Sequence, residues 1–129
     1  MKRIIVTSLF IFTLLFTITG CGVAQIKNVP TQPTLVEKPK KDVYKAIYRA
    51  GTSLGWKITK IDKNTLLGTL HLRSHTAVVT IKYSAKDYSI TYKSSINLNY
   101  NKEQNHIHSN YNGWISNLEK GIRIQLDTL

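Results

Sequence analysis

The sequence predicts an α+β domain, a two-layer sandwich in which two helices cover one face of an antiparallel four-stranded meander. Two patterns predict it. Apolar residues recur at three- and four-residue steps after Asp42 and again from Trp114, as on an amphipathic helix. Between Trp56 and Tyr92 they alternate with polar residues, as in half-buried strands. The predicted element order is therefore α-β-β-β-β-α.

The first helix is expected to begin at Asp42, a residue type that caps helices, and to end near Gly51 and Gly55. Its apolar stripe consists of Val43, Ala46, Ile47, Ala50 and Leu54. The second helix closes the domain, and Asn110 or Asn112 is expected to cap it. Its apolar stripe consists of Trp114, Ile115, Leu118, Ile122 and Leu126.

The four strands are separated by turn sequences, among them residues 62–64 and 85–87. Consecutive strands joined by tight turns pair as an antiparallel meander. The Asn-rich residues 97–109 leave room for a short fifth strand. The residues expected to face the core are Trp56, Ile58, Leu66, Gly68, Leu70, Leu72, Ala77, Val79, Ile81, Tyr83, Tyr88, Ile90 and Tyr92.

Residues 1–20 have the layout of an export signal, because the basic pair Lys2-Arg3 precedes an uncharged apolar run over residues 4–18. The following Ile18-Thr19-Gly20-Cys21 resembles the lipobox of bacterial lipoproteins, although Leu is commoner than Ile at the first of these positions. In that family the cysteine receives a diacylglycerol and cleavage occurs before it. The resemblance implies that Cys21 is the lipidated first residue of the mature protein.

Two other interpretations of this segment remain open. An uncleaved transmembrane helix would fit the absence of charge over residues 4–25, but the strongly apolar part ends near Ile18, short of the ~20 residues that a bilayer core requires. An ordinary secretory signal would leave Cys21, the only cysteine, as a free thiol in an exported protein. Lipidation accounts for the basic start, the apolar run and the cysteine together.

Residues 21–41 are interpreted as the acylated cysteine followed by a tether, and residues 42–129 as one domain. Pro30, Pro33 and Pro39 all lie in this stretch, which ends in a lysine-rich run, and such composition favours extended, solvated backbone. An Asp after the lipidated cysteine commonly retains lipoproteins at the inner membrane. Because Gly22 stands there instead, the resemblance implies the outer membrane and its periplasmic face.

Three stretches of the mature chain, residues 72–79, 88–92 and 107–115, resemble small proteobacterial lipoproteins of uncharacterised function. The resemblance runs from Gly68 to Ile122 and implies an envelope location in a double-membraned bacterium. It brings no catalytic or binding residue. Small lipoprotein domains of the outer-membrane barrel assembly machine are similar in the order of helices and strands only, and a shared fold does not fix function.

Positive charge is the clearest chemical feature, with 18 Lys and Arg against 7 Asp and Glu. Cleavage before Cys21 would remove Lys2 and Arg3 and leave 16 against 7. Such a domain attracts anions. In the envelope these are phospholipid head groups, lipopolysaccharide phosphates, peptidoglycan carboxylates or an acidic assembly protein, while nucleic acid is not expected in that compartment.

Strand alternation predicts where part of this charge lies. The residues opposite the core set would form a cationic, Thr-rich sheet face, a candidate site for an anion or a partner protein. Its basic members are Lys57, His71, Arg73, Lys82 and Lys93. The alternative is a solvated face whose lysines keep the sheet soluble and prevent edge pairing.

Catalytic, metal and cofactor sites are not predicted. His106 and His108 would project to the same side of a strand, but no Cys, Asp or Glu pattern completes the three or four ligands of a metal site. Residues 110–114 could form a sugar- or peptide-binding surface, although a helix cap is favoured. No paired carboxylates or phosphate loop appear. A small periplasmic ligand-processing enzyme and a structural envelope protein are the alternatives to a non-catalytic binding domain.

Overall fold

A computed structural model describes residues 22–129, so the predicted export signal and Cys21 lie outside the described residues. Seven strands and two helices form within this range. They are β1 (Val23–Gln25), β2 (Val29–Pro33), α1 (Lys40–Ser53), β3 (Trp56–Asp62), β4 (Thr65–Leu72), β5 (His75–Tyr83), β6 (Asp87–Ile96), β7 (His106–His108) and α2 (Ser109–Asp127). None of the helices described is long and apolar enough to cross a bilayer.

The α+β class is confirmed. The antiparallel sheet has the strand order β2-β6-β5-β4-β3, so the predicted meander β3 to β6 is present and β2 adds the fifth strand. The two helices contribute their apolar stripes to the same core as the inward sheet residues, except that Leu54 is exposed because α1 ends at Ser53. Of the predicted inward residues, Leu72 is exposed because β4 ends there, and Tyr92 is partly buried against the core.

The expected tether is wrong for most of residues 22–41. β1 pairs with β7 in a separate two-stranded sheet, and β2 pairs with β6 at the edge of the main sheet, with Val29 buried. Pro30 and Pro33 are compatible with β2 because an edge strand leaves one row of backbone groups unpaired. The proline content masked the signal of the apolar Val29 in the sequence. Between β1 and α1, only residues 26–28 and 34–39 form loops.

The Asn97–Ser109 region forms its strand away from the main sheet. Asn101 and His106 make an isolated antiparallel bridge, and β7 then pairs with β1. The pairing of β7 was not predicted, because its partner β1 comes from the opposite end of the domain sequence.

Both predicted helix caps are wrong. α1 begins at Lys40 with Pro39 before it, which places Asp42 in the first turn, where an acidic side chain complements the helix dipole. α2 begins at Ser109, and the His108 ring accepts a hydrogen bond at Nδ1 from the backbone N–H of Asn110. A histidine cap carries no strong sequence signal, because Ser, Thr, Asp and Asn dominate that position.

Asn112 fastens the segment between β1 and β2 to α2. Its Oδ1 accepts from the backbone N–H of Lys27 at 2.8 Å, and its Nδ2 donates to the Gln25 carbonyl at 2.7 Å. Lys27 Nζ also donates to Ser116 Oγ at 2.9 Å. Through these bonds the first described residues form part of the folded domain.

We expect Asn112→Ala to loosen this segment, since it removes two hydrogen bonds worth about 1 kcal/mol each. Amide hydrogen exchange at Val23 to Lys27 should accelerate by roughly five- to thirty-fold. Asn110→Ala is the matched control, because it keeps the backbone N–H that bonds to His108. Unchanged protection in Asn112→Ala would show that strand pairing alone holds the segment.

Gly68 in β4 lies where the sheet tolerates no side chain. A Cβ there would stand 2.9 Å from Val79 Cγ2 and 3.5 Å from Trp56 Cε3. Gly68→Ala should therefore lower the free energy of unfolding by about 1–3 kcal/mol, measured by urea denaturation. Gly113→Ala has open space and removes a helical glycine, so it should raise stability by about 0.5–1 kcal/mol. Equal effects of the two changes would contradict the tight packing at Gly68.

Candidate anion-binding site

The basic side chains of the predicted cationic sheet face lie far apart from one another. Lys57 lies opposite Thr69, and Lys82 lies opposite Thr65 on the same neighbouring strand, β4. These two β4 residues are four positions apart, or about 13 Å along the strand. The two lysines are exposed, and they do not converge on a common point.

The remaining members of that predicted set lie near its margins. His71 Nδ1 is 3.0 Å from Thr76 Oγ1, within the sheet. Lys93 lies at the irregularity in the pairing of β5 with β6, and it is exposed. The placement of Arg73 on the sheet face is wrong, because β4 ends at Leu72 and Arg73 lies in the following turn with a φ of 56°.

The histidines form aromatic contacts at the start of α2. The His75 ring lies 6.1 Å from the His108 ring and 6.3 Å from the Trp114 ring. His75 Nδ1 is 2.6 Å from the Asn97 carbonyl oxygen. Within residues 22–129, no group of three or more His, Cys, Asp or Glu side chains is placed to hold a metal ion.

A different basic site lies between α1 and the sheet. This cleft of about 290 Å³, which we call the Lys–Tyr cleft, is lined by the start of α1, the end of β3, the turn after it and the end of β5. Its lining residues are Lys40, Lys41, Tyr44, Lys60, Lys63 and Tyr83.

The cleft exists because the core ends early at β3. Trp56 and Ile58 face the core, and the next residue with the same alternation is Lys60 rather than an apolar residue. Lys60 pairs with Leu66, a fully buried residue of β4. Its aliphatic stem can therefore cover apolar surface while its ammonium group reaches solvent.

Aromatic rings lie beneath two of the lysines. Lys60 Nζ is 4.2 Å from the centre of the Tyr44 ring, and Lys40 Nζ is 5.2 Å from that of Tyr83. The two tyrosine rings are 6.2 Å apart. Lys40 Nζ also donates to Asn64 Oδ1, which connects α1 to the turn between β3 and β4.

The lysines of the cleft retain their capacity to bind an anion. The one ion pair found among residues 22–129 joins Arg123 to Glu119, so in this range no carboxylate lies within salt-bridge distance of a cleft lysine. The amino end of α1 adds a partial positive charge. Positive groups gathered at a concave surface raise the local potential more than the same charges spread over a face.

Two neighbouring groups define the charge balance of the cleft. The backbone N–H of Asn64 donates to the Asp62 carboxylate at 2.7 Å, and this hydrogen bond lowers the pKa of Asp62, so the carboxylate stays charged. Burial raises the pKa of the Tyr83 phenol, which stays neutral. The site therefore combines four cations with one anion at its rim and a second, Asp42, in the first turn of α1.

Sequence reasoning missed this site. Lys40 and Lys41 were assigned to the tether, and Lys63 to a turn. Lys60 gave the one available signal, since it interrupts the apolar alternation that Trp56 and Ile58 begin.

Comparison of the chain with protein-family models, curated proteins and solved structures found no match. The resemblance to small proteobacterial lipoproteins therefore stays a prediction from the sequence.

Proposed function

We propose that this chain is a lipid-anchored lipoprotein of the bacterial envelope, most simply of the outer membrane facing the periplasm, with a basic, non-catalytic domain. Its domain binds an anionic component of the envelope through the Lys–Tyr cleft. The observation that carries the binding proposal is the convergence of four lysines without carboxylate partners around two tyrosine rings. The lipobox-like sequence ending at Cys21 supports the anchor.

Hydrogen bonds from the cleft lysines to an anion are stronger than the cation–π contacts that these lysines make in the free protein. A cation–π contact at an exposed site is worth about 0.5–1 kcal/mol. A hydrogen bond between a charged donor and an anion is worth about 1.5–3 kcal/mol. An incoming phosphate or carboxylate can therefore draw Lys40 and Lys60 from their rings, and the exposed ring faces can then pack against the ligand's carbon atoms.

The position of the cleft supports a ligand away from the anchoring membrane. β5 extends from His75, which lies beside the start of α2, to Tyr83, which lines the cleft. Eight residue steps correspond to about 26 Å. The Gly22 carbonyl accepts from the backbone N–H of Ser109, so the chain enters the domain at the end opposite the cleft.

Two triple variants test the cleft against net charge alone. Lys40, Lys60 and Lys63 are changed to Gln in one, and Lys57, Lys82 and Lys93 in the other, so that both lose three positive charges. Pyrophosphate binding is measured by isothermal titration calorimetry at low salt. We expect at least a tenfold loss in the cleft variant and less than a threefold loss in the sheet-face variant.

Asp62→Asn supplies the opposite change, because it removes the anion at the rim, and it should tighten pyrophosphate binding. Circular dichroism checks that each variant is folded. Equal losses of pyrophosphate affinity in the two triple variants would mean that binding depends only on net charge. A larger loss of pyrophosphate affinity in the sheet-face variant would show that the binding site lies on the open sheet face.

Lipidation is tested by expressing the full chain with Cys21 intact and as Cys21→Ala, then measuring mature mass and partition into detergent. The unchanged protein should carry acyl chains and enter the detergent phase, because each buried CH₂ contributes about 0.8 kcal/mol. Cys21→Ala should lack both properties. A mature protein of unacylated mass would refute the anchor without affecting the cleft experiment.

A further inference from the structure

We infer that the end of the domain at which the described chain begins is a membrane-contact surface. This inference rests on the proposed lipid anchor. This end, called the proximal end, comprises Gly22 and Val23, the β4–β5 turn, the end of β6 with Asn97 and Leu98, and the start of α2. Val23 pairs with His108, and Thr76, next to the β4–β5 turn, pairs with Ile96. The rings of His75 and His108, 6.1 Å apart, bring these two groups together.

The proximal end exposes apolar side chains from separate segments. The exposed fractions are 52% for Val23, 44% for Leu72 and 65% for Ile96. Trp114 lies beside them, partly buried and in contact with His75. Side chains of this kind are costly to leave in water and favourable at a lipid surface.

The charge at this end suits an anionic bilayer. Arg73 lies in the β4–β5 turn next to Leu72 and is exposed. Basic side chains next to exposed apolar ones are typical of surfaces that lie on head groups. Tryptophan also prefers the membrane–water interface.

Chain connectivity selects lipid as the occupant. Cys21 is bonded directly to Gly22, whose carbonyl is held by Ser109 N–H at 2.8 Å. Consecutive Cα atoms are about 3.8 Å apart, so an acyl-bearing Cys21 would have almost no slack. The head groups around its lipid would then lie against the proximal end, which includes the start of α2 with Trp114.

The inference predicts that brominated lipid quenches Trp114. The acylated protein is placed in phosphatidylethanolamine–phosphatidylglycerol vesicles, with or without lipid brominated near the head group. The chain has two tryptophans, and Trp56 is only 3% exposed in the core, so it serves as a shielded background. We expect brominated vesicles to reduce the emission by at least a third.

A matched pair of variants locates the contact. Leu72→Ser with Ile96→Ser should reduce the quenching at least twofold. Ile61→Ser with Ile124→Ser removes two exposed residues that lie away from the proximal end, and should leave it unchanged. Mass spectrometry establishes acylation first. Acylated protein without quenching, or equal effects of both pairs, overturns this inference alone, whereas unacylated protein overturns the anchor and the inference together.

Discussion

Close packing of α1 against the sheet at one end of the helix governs the shape of the domain. A Cβ on Gly51 would stand 2.6 Å from Ile58 Cδ1, so the Ile58 side chain packs directly on the helix backbone at this point. Two turns earlier in the helix, the space between α1 and β3 is filled by the larger side chains of Tyr44 and Lys60. Smaller side chains therefore separate the helix from the sheet at Gly51, whereas the Lys–Tyr cleft lies between them at the start of α1.

Much of this architecture was predictable from local periodicity. The stripes of both helices and the alternation from Trp56 to Ile90 are properties of contiguous residues, and burial of one face enforces them. β1 and β2 were not predictable in this way, because they are short and their partners, β7 and β6, lie far along the chain. The composition of residues 22–41 indicated a tether, whereas burial of Val29 and pairing with β6 hold β2 at the sheet edge.

The cleft was harder to predict than the fold because its parts are distant in sequence. Lys40, Lys60 and Tyr83 meet only after α1 has packed across the ends of β3 and β5. Net charge suggests an anionic ligand class as a hypothesis, but it carries no information on position. The lysines of the sheet face share that charge and are kept apart by the strand spacing.

Residues 22–27 are held to β7 and α2, and this attachment limits the volume that the cleft of a lipid-anchored form could sample. A flexible tether of twenty residues would let the cleft sample a wide volume, and each position would be visited rarely. A domain seated directly on its anchor holds the cleft at one height, about 26 Å beyond its proximal end. The effective concentration of the cleft is then high within a thin layer and almost zero elsewhere. Asn112, which holds residues 25 and 27 to α2, would thus help to fix the distance between the cleft and the membrane.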